Sequence, residues 1–201
     1  MPRRHKLALP FYGFLNKRTR RAGRVAQAER PKRGWDSGLD YSETYQRILS
    51  HLNRTRKPQD VVLLIQLRNG SRVGEAVEAL RQFCETGKTE VYVRVEKHKD
   101  AKDQRLMVLP EELRKGQGKV LLESACGWLS SVEKPKAAVK EYCRRTYGFN
   151  THSLRYAYIT YMLSKGVNPT IVAKITGHRS LEHILHYTER KTAEDLLREM
   201  P

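Results

Sequence analysis

The stretch "ITGHRSLEHILHYTE", residues 175–189, places His178, His183, His186 and Tyr187 close together in the chain. Imidazoles titrate near neutrality and can move protons or bind metals, and a phenol can act as a nucleophile once it is assisted. His183 and His186 are three apart, share a helix face and could in principle share a metal. Further ligands are not offered at a recognisable spacing. Cys84, Cys126 and Cys143 are scattered, and neither a CxxC pair nor an HExxH motif occurs. What this segment can do therefore depends on what the rest of the chain brings to it.

Two arginines upstream are the first candidates. Arg72 opens "SRVGEAVEAL", with Glu75 three residues on, where an i,i+3 pair can orient the guanidinium or simply decorate a helix. His152 and Arg155 form an "HSLR" motif. Leu154, Ala157, Tyr158, Tyr161 and Met162 make the apolar stripe of that segment, so His152 and Arg155 are expected on a different, exposed face. Lysines cluster at 97, 99 and 102.

These residues sit in a 201-residue chain with a formal net charge of +17 and a pI near 10. That length suits one substantial domain plus an arm. The charge points to a polyanionic partner, most simply nucleic acid, a balance that ribosomal and chromatin proteins share. Three unpatterned cysteines argue for a reducing compartment, and no apolar run reaches the roughly 18 residues of a membrane span. The apolar stretch near the start is broken by Pro10 and Gly13, with no cleavage site after it. The expectation is an intracellular protein, in the cytoplasm or nucleoid.

The elements that must position the candidates follow from punctuation and periodicity. Residues 1–40 read as a basic arm and linker. Arg18, Arg20, Arg21, Arg24, Lys32 and Arg33 are its candidate DNA-binding residues, set along an extended strap on phosphates. Ser42 is a plausible N-cap for a helix carrying Tyr45, Ile48, Leu49 and Leu52. A second, very apolar helix spans "PQDVVLLIQLRN", and a third starts in "SRVGEAVEALRQF". Val91, Val93 and Val95 alternate with polar residues, "HKDAKDQ" turns and "RLMVL" returns, a β-hairpin ended by Pro110. Residues 111–129 are ambiguous, with a Gly-rich break at "KGQGK". Helices then follow in "KAAVKEYCRRTYG", "THSLRYAYITYMLSKG" with Thr151 as N-cap, "PTIVAKIT", "SLEHILHYTER" from Ser180 and "AEDLLREM" from Thr192. No internal repeat is present. The predicted class is mainly α with a small antiparallel β-sheet, α+β.

Arg72 with Glu75 in "GSRVGEA", the hairpin lysines, His152 and Arg155 in "HSLR", His178 in "TGHRS" and Tyr187 in "HYTE" occur in the order found in the tyrosine recombinases, or phage-type integrases. The chain resembles their catalytic domain over residues 41–201, including the interval from His178 to Tyr187. The resemblance implies the integrase catalytic-domain fold and catalytic roles for Arg72, a hairpin lysine, His152, Arg155, His178 and Tyr187, with Glu75 in support. Matching Arg105 to the family's second-strand arginine makes Lys99 the best lysine with one extra turn residue. Lys102 is the alternative, otherwise a DNA contact. His183 and His186 then read as helix surface or packing.

The chemistry explains the residue set. Arg72 and Arg155 can donate paired hydrogen bonds to phosphate oxygens, and His152 and His178 can add donors or move protons. Tyr187 would attack phosphorus and the lysine would protonate the leaving 5′-hydroxyl. Neither metal nor nucleotide cofactor is needed, because the phosphotyrosyl bond preserves the energy of the broken one. The resemblance further implies site-specific recombination by a homo-tetramer on double-stranded DNA through a Holliday junction. It also implies a terminal helix, with Leu196, Leu197 and Met200, that docks in cis or on a neighbour. Family members usually carry an N-terminal clamp domain, where this chain has about 40 basic residues. A type IB topoisomerase-like enzyme, or a non-catalytic DNA-binding protein on the same scaffold, are the alternatives. The retained tyrosine and arginines weigh against the second.

Overall fold

The computed structural model describes residues 38–96, 103–178, 180–182 and 184. Within them the chain runs through α1 (Tyr41–Thr55), α2 (Pro58–Asn69), α3 (Val73–Thr86), β1 (Glu90–Arg94), β2 (Gln104–Val108), α4 (Gly116–Ser131), α5 (Pro135–Tyr147), α6 (Thr151–Ser164) and α7 (Pro169–Thr176). This is a mostly helical architecture with one small antiparallel sheet, as the periodicity predicts. The basic arm and the helix expected from Thr192 lie outside the described residues.

Helix α2 is the axis of the core. Val61 to Leu67 are buried on every side, which is what a helix apolar all round requires, and α1, α3, α4, α5, α6 and β2 all pack against it. Pro58 starts it, where the missing N–H is an orphan anyway, and Gly70 ends it at φ +55°. Two of its buried polar side chains tie it to neighbouring elements. Gln66 Nε2 donates to Thr151 O at 2.5 Å, which fixes α6 against it. Asn69 Oδ1 accepts from Val108 N–H at 2.8 Å and Asn69 Nδ2 donates to Val108 O at 2.9 Å, so this side chain acts as a third strand for the edge of β2.

The hairpin pairs Glu90 with Val108 through to Arg94 with Gln104, with Val93 opposite Arg105. Val91, Val93 and Met107 face the core while Tyr92 and Leu106 face out, as the alternation predicts.

Four expectations are corrected. Helix α1 is capped by Asp40, whose carboxylate accepts from Glu43 N–H at 2.8 Å. Ser42 already lies inside the first turn, where its side chain cannot reach those donors. Likewise Asn150, and not Thr151, caps α6 by accepting from His152 and Ser153 N–H. The Gly-rich "KGQGK" is no break: it forms the first turn of α4, and a Cβ on Gly118 would fall 1.7 Å from Glu112 O. Finally, Cys84 and Cys126, read from the sequence as scattered and unpatterned in a reducing compartment, form a disulfide joining α3 to α4. The sequence separation of 42 hides the pair, because the intervening hairpin returns the chain to the same place. Cys143 is a free, buried thiol, pushed up to about 12 by burial and then by Asp60. No helix among the described residues is long and apolar enough to cross a membrane.

One carboxylate holds α1, α2 and α5 together. Asp60 is fully buried and accepts from Tyr147 OH at 2.7 Å and Tyr142 OH at 3.0 Å, with His51 Nδ1 at 2.7 Å. Asp60→Ala would leave these donors facing an apolar gap. It is expected to lower the unfolding free energy by about 3 kcal/mol in urea titrations. A loss under about 1 kcal/mol would show that the network is dispensable.

The tyrosines add a pH dependence. Burial, then hydrogen bonds to Asp60 or Glu112 or the charge on Asp60, raise Tyr45, Tyr142 and Tyr147 above the ordinary phenol value, and burial raises Tyr41 to about 12. The unfolded phenols titrate near 10.0, so the folded state is favoured below that pH and progressively disfavoured as pH rises through and beyond it. Alkaline titration should therefore show tyrosinate absorbance appearing together with loss of helical circular dichroism. Early, independent ionisation of all the tyrosines would contradict this.

Candidate active site

Four of the residues in question, Arg72, Glu75, Arg155 and His178, converge where α2, α3, α6, α7 and the hairpin meet. Arg72 stands at the N-terminus of α3, held by Glu75, the third residue of that helix. Glu75 Oε1 accepts from Arg72 Nη1 at 3.0 Å and its Oε2 from the Arg72 N–H at 3.0 Å, the carboxylate half of a capping box. Glu75 is 1% exposed and takes two more donors, Glu96 N–H at 3.1 Å and Arg105 Nη1 at 3.2 Å. Glu96 O in turn accepts from Arg72 Nη1 at 3.2 Å. Gly74 leaves room for the Glu96 carboxylate, which pairs with Lys136: a Cβ there would sit 1.9 Å from Glu96 Oε1.

Arg155 is 1% exposed, so it belongs to the buried side of α6 with Leu154, Ala157 and Tyr158, and not to the exposed face expected from the apolar stripe. The stripe misleads because the α2–α3 loop supplies an acceptor: Arg155 Nη1 donates to Gly70 O at 3.0 Å. Its Nη2 lies 3.2 Å from His178 Nδ1 and 3.1 Å from His178 Nε2. A nitrogen equidistant from both ring nitrogens cannot be in line with either lone pair, which sets the guanidinium against the imidazole face. Burial, and next the charge of Arg72, lower Arg155 to about 9, still charged at neutral pH.

His178 follows the left-handed Gly177, φ +68°, that closes α7. Gly177 packs on Val95 at the end of β1, a Cβ falling 2.9 Å from Val95 Cγ1. Thr176 Oγ1 lies 2.7 Å from His178 Nδ1. His152 meets Tyr156 instead, its Nε2 3.0 Å from the phenol oxygen. Ser180 Oγ accepts from Glu182 N–H at 3.2 Å, and most of the helix expected from Ser180 lies outside the described residues.

Lys99, Lys102, His183, His186 and Tyr187 lie outside the described residues, as do Arg18, Arg20, Arg21, Arg24, Lys32 and Arg33. The turn carrying the lysines is nevertheless bounded at the cluster. It leaves after Glu96 and returns at Asp103, whose carbonyl accepts from Val95 N–H at 2.9 Å. Sequence reasoning used Arg105 only as an alignment anchor and passed over Tyr156, Glu96, Thr176 and the Gly70 carbonyl. The available signal was a charged residue at an inward position of β2, two away from Met107.

Chemically the arrangement suits an anion. Arg72 and Arg105 share the Glu75 carboxylate, and among the described residues no carboxylate pairs with Arg155. The remaining positive charge is largely removed from water, where an anion is bound most strongly. Gly70 is the hinge of the arrangement, since its carbonyl holds Arg155 and its left-handed φ coincides with a Cβ position 2.2 Å from Tyr158 Cδ1. Gly70→Ala is expected to cost well over about 2 kcal/mol. At Gly148, φ +81° with open space around it, the same change should cost only about 1 kcal/mol. Equal shifts in melting temperature for the two variants would refute the steric account.

The sequence matches the model of the phage integrase family over residues 41–194. It is 34% identical over 175 residues to a candidate integrase of Acidianus two-tailed virus, covering 83% of this chain and 68% of that one. It is 29% identical over 196 residues to an uncharacterized protein of Methanocaldococcus jannaschii, covering 82% and 87%. A candidate integrase of the Sputnik virophage is 26% identical over 201 residues, covering 82% and 89%. No solved structure matches the chain. With the family model covering most of its length, the chain belongs to the phage integrase family.

Proposed function

We propose that the chain is a site-specific DNA recombinase that cuts and rejoins strands through a 3′-phosphotyrosyl intermediate, with residues 41–201 as its catalytic domain in the integrase fold. The observation that carries this reading is the buried guanidinium of Arg155 beside His178, with no carboxylate partner among the described residues and the partly buried Arg72 near enough to act on its charge. A DNA phosphodiester supplies the missing negative charge. Its non-bridging oxygens accept from the two guanidiniums, which neutralise the charge that grows in the transition state.

In this scheme the Tyr187 oxygen attacks phosphorus as its proton passes to a neighbouring base. The bond to the 5′-oxygen breaks, and that oxygen takes a proton from Lys99, or from Lys102 at the other end of the turn. His178 and His152 donate to the phosphate or carry the proton from Tyr187. A 5′-hydroxyl of the partner strand then attacks the phosphotyrosyl bond and returns the phenol, so no metal or nucleotide enters the balance. Residues 1–40 would strap along DNA phosphates through Arg18, Arg20, Arg21, Arg24, Lys32 and Arg33. Paired exchanges on two duplexes would require four copies.

The test is incubation with nicked suicide duplexes bearing candidate sites, read on denaturing gels. The intact protein is expected to form a covalent protein–DNA band, and Tyr187→Phe none. Arg155→Lys should slow the band by about 10²-fold or more, since a point charge replaces a buried fork. A band that survives Tyr187→Phe would remove the assigned nucleophile. Binding without any band from the intact protein would favour the non-catalytic reading.

A further inference from the structure

Arg105 is a cation on the inward face of a two-stranded sheet, 5% exposed, a position that a purely structural strand would fill with an apolar residue. Its neighbours along that face and across the ladder, Met107 and Val93, are apolar and fully buried. Its acceptors come from three separate places in the chain. Nη1 donates to Glu75 Oε2 at 3.2 Å, in α3, and to Thr176 O at 3.3 Å, at the end of α7. Nη2 donates to Asn69 O, at the end of α2. Its Nε has no partner among the described residues. The guanidinium thus leaves one buried donor unsatisfied while reaching all three acceptors.

Each acceptor borders a residue that would handle the phosphate. Glu75 holds Arg72. Asn69 precedes Gly70, whose carbonyl holds Arg155. Thr176 lies two residues before His178 and contacts it through its hydroxyl. Carbonyls at the ends of α2 and α7 have no onward helical partner, so a cation there is favoured by the helix dipoles as well as by the hydrogen bonds. A planar fork with five donors can meet three acceptors at fixed angles, which an ammonium cannot.

We infer that Arg105 is the positioning residue of the site: one buried guanidinium, touching no substrate, sets the relative placement of Arg72, Arg155 and His178. This rests on the strand-transfer reading above. It differs from a stability role, because the acceptors it joins are those that aim the phosphate-binding groups. A displacement of about 1 Å among such groups is enough to slow chemistry by about 10²-fold.

The experiment compares intact protein, Arg105→Lys and Arg105→Met on the nicked duplexes. It measures single-turnover adduct formation well below each melting temperature, duplex affinity by titration, and the imidazole ¹⁵N signals of His178 and His152. Arg105→Met is expected to slow adduct formation by about 10²-fold at unchanged duplex affinity and to shift the His178 signals. His152, which is tied to Tyr156, should stay put. Arg105→Lys keeps the charge beside Glu75 and should recover part of the rate, and it stands in should the methionine variant fail to fold. Folded variants with an unchanged rate and unmoved His178 signals would overturn the inference. If the intact protein forms no adduct, the proposed function fails and the His178 signals alone decide the role of Arg105: a shift confined to His178 upholds it and no shift rejects it.

Discussion

Like charges brought together inside a protein must be held there, and in this chain one carboxylate carries that requirement. Glu75 accepts from Arg72 twice, from the Glu96 N–H and from Arg105. Four donors meet on this one buried carboxylate, and its place in the first turn of α3 sets its charge at the positive end of the helix dipole. Remove it and Arg72 and Arg105 would repel each other and Arg155 across a medium too dry to screen them. The site is therefore held as an arrangement, yet its guanidiniums outnumber the one carboxylate that Arg72 and Arg105 share.

The rest of the fold serves that arrangement from a distance. Helix α2 carries apolar side chains all round, so it must be enclosed, and enclosing it brings α6 and the hairpin to its C-terminal end. There the backbone stops being helical at Gly70 and its carbonyl becomes free to hold Arg155. Asn69 pins β2 to the same corner. At the other end of the domain the Asp60 network does comparable work for α1 and α5, with tyrosines as donors in place of arginines. The difference is one of charge: neutral donors around a carboxylate leave no surplus cation, whereas three guanidiniums around Glu75 do.

The two glycine ends, Gly70 and Gly177, explain why the site is built on helix termini. Each lets the chain turn in the left-handed region, and each has a neighbouring side chain where a Cβ would be, Tyr158 in one case and Val95 in the other. The closing turns are thus locked by packing, and the groups beside them inherit that rigidity. The disulfide between Cys84 and Cys126 adds a covalent tie on the far side of the hairpin, between α3 and α4.

Patterns confined to one segment were legible in the sequence. Helical spacing and terminal Gly and Pro locate α2, α5 and α7, period-two alternation locates the hairpin, and ordered motifs single out Arg72, Glu75, His152, Arg155 and His178. Local signals suffice there because propensity and punctuation act over a few residues. What depends on a distant partner was decided only by tertiary structure. Arg155 faces inward because a carbonyl 85 residues away accepts from it, which no stripe on α6 reports. The cysteines pair because a hairpin folds back between them, and Asp40 outcompetes Ser42 because caps are chosen by backbone geometry and not by residue type alone. Arg105 looks like one more basic residue of a chain with net charge +17 until its three acceptors, each from a different helix, are seen around it. Long-range hydrogen bonds carry no periodicity, so only the fold could reveal them.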